Sequence, residues 1–225
     1  DELLLRGHDV SGIVRNVAKL PARAGLSAVS ADIMQPDTMA QAIIGHDVVV
    51  NAFAPGHTMD VSIYKGAVEG AWRLKRAVKA VSSPYLIIVG GVGSLWTERG
   101  VQMMDDPWWP DWYINTSTPG YMRHLGDMTG IGAFELVAQE REAMDSNGEP
   151  PHAPLRSEEA RGFMAALGNG HELAQGLRAA FEIYEQDRTF KWTFASPPWC
   201  LMHGPRTGSY TVTKHDIPLI DGVPA

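Results

Sequence analysis

A single cysteine, Cys200, stands in 225 residues, so no intrachain disulfide can close and no thiolate cluster can gather around a metal. Cysteine scarcity of this kind suits a reducing cytoplasm. No stretch comes near the roughly eighteen uninterrupted apolar residues of a membrane-spanning helix. Cations are also short: 19 Lys plus Arg against 26 Asp plus Glu leave a net charge of -7, which repels phosphate backbones and argues against nucleic-acid partners. His124 with Asp127, or His152 alone, completes no metal-ligand set. The opening residues lack the charged, apolar and small-residue blocks of a secretory leader. What is present is a globular composition, 44% hydrophobic and 20% charged, long enough for one large domain or one domain with an elaboration.

Leu3, Leu4 and Leu5 followed by Arg6 and Gly7 read as the end of an amphipathic helix with Gly7 at its C-terminal cap, and the start of that helix is expected outside the chain. Strand-like and helix-like segments then alternate. Asp9 to Arg15 and Leu26 to Asp32 read as strands, and Pro36 to Ile44, with Gly45 just beyond, reads as a helix. The run Val48, Val49, Val50 within Asp47 to Phe53 predicts a parallel strand buried on both faces. From Met59 to Val81 a stripe of Ile63, Ala67, Ala71, Leu74 and Val78 predicts a helix, and Pro84 to Val89 predicts a further buried strand leading into Gly90, Gly91 and Gly93.

Periodicity fails from Ser94 to Gly120, where Pro107, Trp108, Trp109, Pro110 and Trp112 make an aromatic loop too long for a simple connector. Helical patterns return over Ala133 to Met144, Ser157 to Leu167 and Glu172 to Gln186. Lys191 to Ala195 reads as a strand closed by Ser196, Pro197 and Pro198, and Ser209 to Thr213 as a later, exposed strand. The order predicts one α/β domain over 1–225 built on a doubly wound parallel sheet. In such sheets ligands sit beyond the carboxyl ends of the strands. Those ends carry Arg15 and Asn16, Asp32, Asn51 to Pro55, Gly90 to Ser94, and Ser196 to Pro198.

These residues carry a resemblance. Val14-Arg15-Asn16 with Lys19-Leu20-Pro21, Ala31-Asp32, Asn51-Ala52-Phe53, Val89 to Leu95, Trp192 to Pro198 and Arg206 to Tyr210 together resemble the atypical short-chain dehydrogenases. More narrowly they resemble the NAD(P)H-binding group that includes the NmrA-like regulators and the B-type biliverdin/flavin reductases, over nearly all of 3–117 and 170–221. The resemblance implies a nicotinamide cofactor. Arg15 falls where an NAD-preferring relative carries an acidic residue, so a guanidinium there favours NADP(H) over NAD(H) by pairing with the 2′-phosphate. Asp32 would lie by the adenine, and Asn51, Ala52 and Phe53 along the path to the nicotinamide ribose. Gly90 and Gly91 would allow close backbone approach, Ser94 would be the active-site hydroxyl, and Ser196, Pro197 and Pro198 would contact the nicotinamide end.

The chain also departs from the family pattern. The glycine-rich turn that carries the pyrophosphate is missing with its strand and half a helix, roughly 20 residues of a βαβ unit, so the chain is expected to be truncated at its N-terminus. It also stops where the family usually continues with another helix and strand, and against the Rossmann-like doubly wound parallel sheet that the resemblance implies, 114–170 is a helical insertion. The usual Tyr-x-x-x-Lys pair is absent from the helix before the Lys191 strand; Tyr210 and Lys214 have the spacing but fall on the exposed later strand, where the match is accidental. Relatives without that pair work by hydride delivery from the cofactor, with substrate or solvent supplying the proton.

His57 is the candidate general acid by its place after Phe53. Trp96, Trp112 and Arg206 are candidate substrate contacts, the tryptophans for a flat aromatic group and Arg206 for an anionic one. Asp105 and Asp106 read as a solvated turn, Arg73, Lys75, Arg76 and Lys79 as a solvated helix face, and Cys200 as a small apolar residue. Two functions remain open. One is an NAD(P)H-dependent reductase of a small conjugated or aromatic acceptor. The other is a non-catalytic redox-sensing regulator of NmrA type, in which the insertion meets a partner protein; the same insertion could instead be a lid or the contact for a second copy.

Overall fold

The structure, a computed structural model, describes residues 1–56, 61–82, 84–106, 118–150, 153–166, 171–198, 201, 204, 208–217, 219–220 and 223–224. One helical turn, α1 (Glu2–Leu5), precedes β1 (Val10–Val14) and ends as its sequence predicts: Gly7 takes φ +80 and its N–H donates to the Leu4 carbonyl. β2 (Leu26–Ser30) pairs parallel to β1 with Val10 opposite Leu26. α2 (Pro36–Ile43) follows, started by Pro36 and left through Gly45 at φ +79. β3 (Val48–Asn51), β4 (Tyr85–Val89) and β5 (Trp192–Ala195) form a second parallel sheet in the order β3-β4-β5. Residues 219–220 and 223–224 pair as a small antiparallel hairpin, β6 with β7.

Two long helices cover one face of the β3-β4-β5 sheet. α3 (Val61–Ala80) buries the stripe Ile63, Ala67, Ala71, Leu74 and Val78, as its 3.6-residue spacing requires. Against it lies the helix before β5 (His171–Glu185). Small residues let the two backbones approach: a Cβ at Gly176 would lie 3.0 Å from Ala67 Cβ and 3.1 Å from Tyr64 Cα. The core beneath them joins Leu86 and Ile88 of β4, Met39 and Ile43 of α2, and Tyr184. Tyr184 is fully buried, donates its hydroxyl to the Ala71 carbonyl at 2.9 Å, and burial holds its phenol above the ordinary tyrosine range.

The basic run on α3 is in part a strut, although Arg76 and Lys79 stay exposed on the solvated face. Lys75 Nζ lies 2.9 Å from Asp187 and 2.6 Å from the Ile183 carbonyl, and Lys79 meets the same carboxylate at 2.9 Å. Both bonds fall at the end of the partner helix, where exposed carbonyls favour cations. Arg73 donates to the Met34 carbonyl at 2.6 Å, tying α3 to the loop before α2. The Asp187 carboxyl is held well below the usual range, first by the Thr189 hydroxyl and N–H and then by the two lysines.

Among the described residues between β4 and β5, three further helices pack on one another: α4 (Pro119–Thr129), α5 (Ala133–Ser146) and α6 (Glu158–Ala166); the helix His171–Glu185 is therefore α7. Met122, Phe134, Val137, Leu155 and Met164 form their shared core. Arg123 clamps Glu135 and Glu142, and Glu140 takes the Ser157 hydroxyl and N–H. α4 corrects the reading of 94–120 as aperiodic to its end: Thr118 caps Tyr121 N–H, and Pro119 opens the helix. A second correction concerns Ser209 to Thr213, which forms no strand and is exposed throughout; alternation without a neighbouring edge has nothing to pair with. Among the described residues no helix is long and apolar enough to cross a membrane.

Candidate functional site

The carboxyl ends of β1, β2 and β3 open onto one cavity of about 450 Å³. Arg15 follows β1, Asp32 follows β2, and Asn51, Ala52 and Phe53 end β3; all five line it. Local turns fix them there. Asp32 Oδ1 accepts the Met34 N–H at 2.9 Å and Asn51 Oδ1 accepts the Phe53 N–H at 3.1 Å, so both side chains brace the chain as it leaves its strand. Phe53 then turns toward α3, where a Cβ on Gly70 would lie 2.7 Å from its ring. Arg15 is exposed at the rim, and no ion pair to it is found among the described residues. The floor is apolar: Met39, Ile43 and Leu74.

A second group forms beyond β4 and β5. Ser94 is buried; its hydroxyl donates to the Gly91 carbonyl at 2.9 Å and lies 3.1 Å from Ser196 Oγ. Since the Ser94 proton is engaged, Ser196 is the donor in that pair. Gln102 Nε2 donates to the Ser94 carbonyl at 3.1 Å and fixes the turn from behind. Gly90 and Gly91 are explained by the protein itself. A Cβ on Gly90 would stand 1.8 Å from Phe194 Cε1, and one on Gly91 3.1 Å from Leu177 Cδ1. Trp96 is exposed and pairs through its backbone with Gln102 and Asp216.

The structure thus brings Arg15, Asp32, Asn51, Ala52 and Phe53 around one cavity, and Ser94 and Ser196 into contact at the ends of β4 and β5. Pro197 and Pro198 follow Ser196 directly. His57, Trp112 and Arg206 lie outside the described residues, as do Trp108, Trp109, His152 and Cys200. Asp106 is buried beside Arg99 at 3.3 Å rather than solvated, while Asp105 pairs with Arg178 at 2.8 Å. Sequence reasoning passed over His46, whose Nε2 is 2.9 Å from Ser11 Oγ across the cavity's lower end. A lone histidine after a glycine turn carries no signal that would have singled it out. Among the described residues no group of three or more His, Cys, Asp or Glu is placed to hold a metal.

Parallel strands joined by helices, with polar residues gathered where the strands end, define a dinucleotide-binding α/β protein of Rossmann type. A family model described as NAD(P)H-binding matches residues 1–118, and the chain belongs to that family. The uncharacterised protein YwnB of Bacillus subtilis (strain 168) is 32% identical over 117 residues, 50% of this chain and 51% of YwnB. The chain therefore matches about half the length of that curated relative. Two crystal structures share the fold. A Bacteroides thetaiotaomicron protein provisionally described as an epimerase superposes with a TM-score of 0.60 at 21% identity, over 96% of this chain and 71% of that one. A Burkholderia pseudomallei protein provisionally described as exported does so at 0.58 and 20% identity, over 99% and 77%.

Proposed function

We propose that the chain is the cofactor-binding body of an NAD(P)H-dependent oxidoreductase that reduces a small conjugated or aromatic acceptor and prefers NADPH. The observation that carries this reading is the convergence of Arg15, Asp32 and Asn51 to Phe53 on one cavity at the strand ends. Fit is good at the adenosine end. Arg15 supplies an exposed guanidinium for a 2′-phosphate, and Asp32 keeps Oδ2 for an adenosine hydroxyl or amine. Fit fails at the diphosphate, because no described helix N-terminus points its free N–H groups into the cavity behind a glycine-rich turn. When bound, the cofactor supplies the hydride. The protein's share is to hold the acceptor against water with Trp96 and the segment around it, while Ser196 and Ser94 order the backbone where the nicotinamide end would lie.

A regulator of NmrA type draws support from a different observation. The helix before β5 carries Tyr184, but it is buried with its hydroxyl on Ala71, and Tyr210 and Lys214 are exposed on an irregular segment. The self-packed helices α4 to α6 would then be the partner's surface. The test is a calorimetric titration with NADPH and separately with NADH, followed by NADPH oxidation against flavin, quinone and carbonyl acceptors. NADPH-selective binding with steady turnover supports the reductase. Binding without turnover, together with co-purification of a protein partner, overturns it in favour of the regulator.

A further inference from the structure

A cleft of about 500 Å³ lies between α3, the start of α2 and the turn at Asp187, and it shares no described residue with the cavity at the strand ends. Four of its side chains, Trp72, Lys75, Arg76 and Lys79, come from α3 at spacings of three and four residues, so they stand on one helix face. Asp37 lines it from α2, and Asp187 closes it at the far end of α7. In a chain of net charge -7 this is a local gathering of cations, and a concave wall concentrates their field.

Internal bonds use only part of that charge. Asp187 is saturated: Oδ1 accepts the Thr189 N–H and hydroxyl, and Oδ2 meets both lysines. Lys75 is spent on Asp187 and the Ile183 carbonyl, and its Nζ lies 5.6 Å from the centroid of the Trp72 ring, which steadies the indole. Among the described residues Lys79 bonds to Asp187 alone, and its side chain is 41% exposed, so it keeps N–H groups to donate. Arg76 is exposed and meets no acceptor among the described residues. Trp72 is 51% exposed, and its indole N–H finds no acceptor there either.

We propose that this cleft binds a small phosphate ester of a flat aromatic group, with the ring against Trp72 and the phosphate held by Arg76 and Lys79. Arg76 and Lys79 stand one helical turn apart, so both reach a single oxyanion, and two unspent cations match a phosphate dianion better than a carboxylate. The steadied, half-exposed indole supplies stacking area beside them. Asp37 on the α2 wall repels a bare anion and favours a ligand that turns a neutral part or a hydrogen-bond donor toward it. The site is separate from the adenosine end of the cofactor cavity and does not depend on the cofactor reading.

The test follows the Trp72 indole N–H in proton–nitrogen correlation spectra, its signal assigned through Trp72→Phe, while the chain is titrated with naphthyl phosphate, inorganic phosphate and naphthol. Naphthyl phosphate is expected to shift that signal and to bind at least about tenfold more tightly than either of the others. Arg76→Glu should weaken its binding at least about tenfold with Tm unchanged, since Arg76 has no described bond to lose, while Arg15→Glu should leave it as it was. An unmoved Trp72 signal overturns the proposal. So does naphthol binding as tightly as the ester, which reduces the cleft to an apolar patch, or inorganic phosphate doing so, which reduces it to a charged surface. Unchanged affinity in Arg76→Glu overturns it as well, and lost affinity in Arg15→Glu does the same by placing the probe in the cofactor cavity.

Discussion

Replacing Gly90 by alanine puts a methyl group into space that Phe194 already fills. The new Cβ would lie 1.8 Å from Cε1, 2.3 Å from Cζ and 2.6 Å from Cδ1. Carbon atoms in contact keep about 3.5–4.0 Å, so the ring has to retreat by roughly 1–2 Å. Neither side yields easily. The backbone is pinned by the Gly90 N–H to Ala195 carbonyl bond at 2.8 Å, and the ring is braced edge-on by Phe181 at 5.2 Å between centroids. Overpacking of this kind costs about 1–3 kcal/mol, and the distances put this site at the upper end, about 3 kcal/mol. For a chain of this length that lowers Tm by about 6–12 °C, read by thermal and urea melts. Phe194→Leu should relieve the clash, so that the double variant is more stable than Gly90→Ala by about 1–2 kcal/mol. If Gly90→Ala melts with the wild type and instead weakens NADPH binding, the glycine serves the ligand and the packing argument is wrong.

Asp187→Asn removes the shared anion of Lys75 and Lys79 and should destabilise the α3–α7 contact by about 2 kcal/mol in urea melts. Because the folded carboxyl is held below its unfolded value of about 3.9, its contribution is complete above that pH and fades as pH falls; the variant should therefore show a flatter loss of stability below about pH 4, and an unchanged acid limb refutes this. Tyr184→Phe removes the hydroxyl's bond to the Ala71 carbonyl, which keeps its own bond within α3, and should cost about 1 kcal/mol while any NADPH oxidation proceeds unchanged; a large drop in kcat would make Tyr184 a catalytic group after all. Arg15→Glu should cut the preference for NADPH over NADH at least tenfold by calorimetry, and an unchanged preference removes Arg15 from the 2′-phosphate.

Much of the fold could be read from local pattern. The stripe on α3, the Gly7 and Gly45 exits and the apolar run of β4 each follow from spacing or backbone conformation that neighbouring residues set alone. So did the gathering of Arg15, Asp32 and Asn51 at strand ends, because strand order in an α/β chain dictates where those ends meet. α4 was hidden because it opens on Pro119-Gly120 and fully buries only Met122, so no stripe shows. Ser209 to Thr213 alternates but meets no edge, and alternation without a partner does not make a strand.

By itself the sequence determined the class of fold, the membership in the NAD(P)H-binding family and the polar residues at the strand ends, since these depend on periodicity and local turn chemistry. Only the tertiary structure decided which charges are spent internally, because Lys75 and Asp187 are more than a hundred positions apart and meet through helix packing. It alone shows that Gly90 makes room for Phe194. It alone shows that β3, expected to be buried on both faces, leaves Val48 and Val50 exposed, because whether a valine is covered depends on which elements pack beside it across the chain.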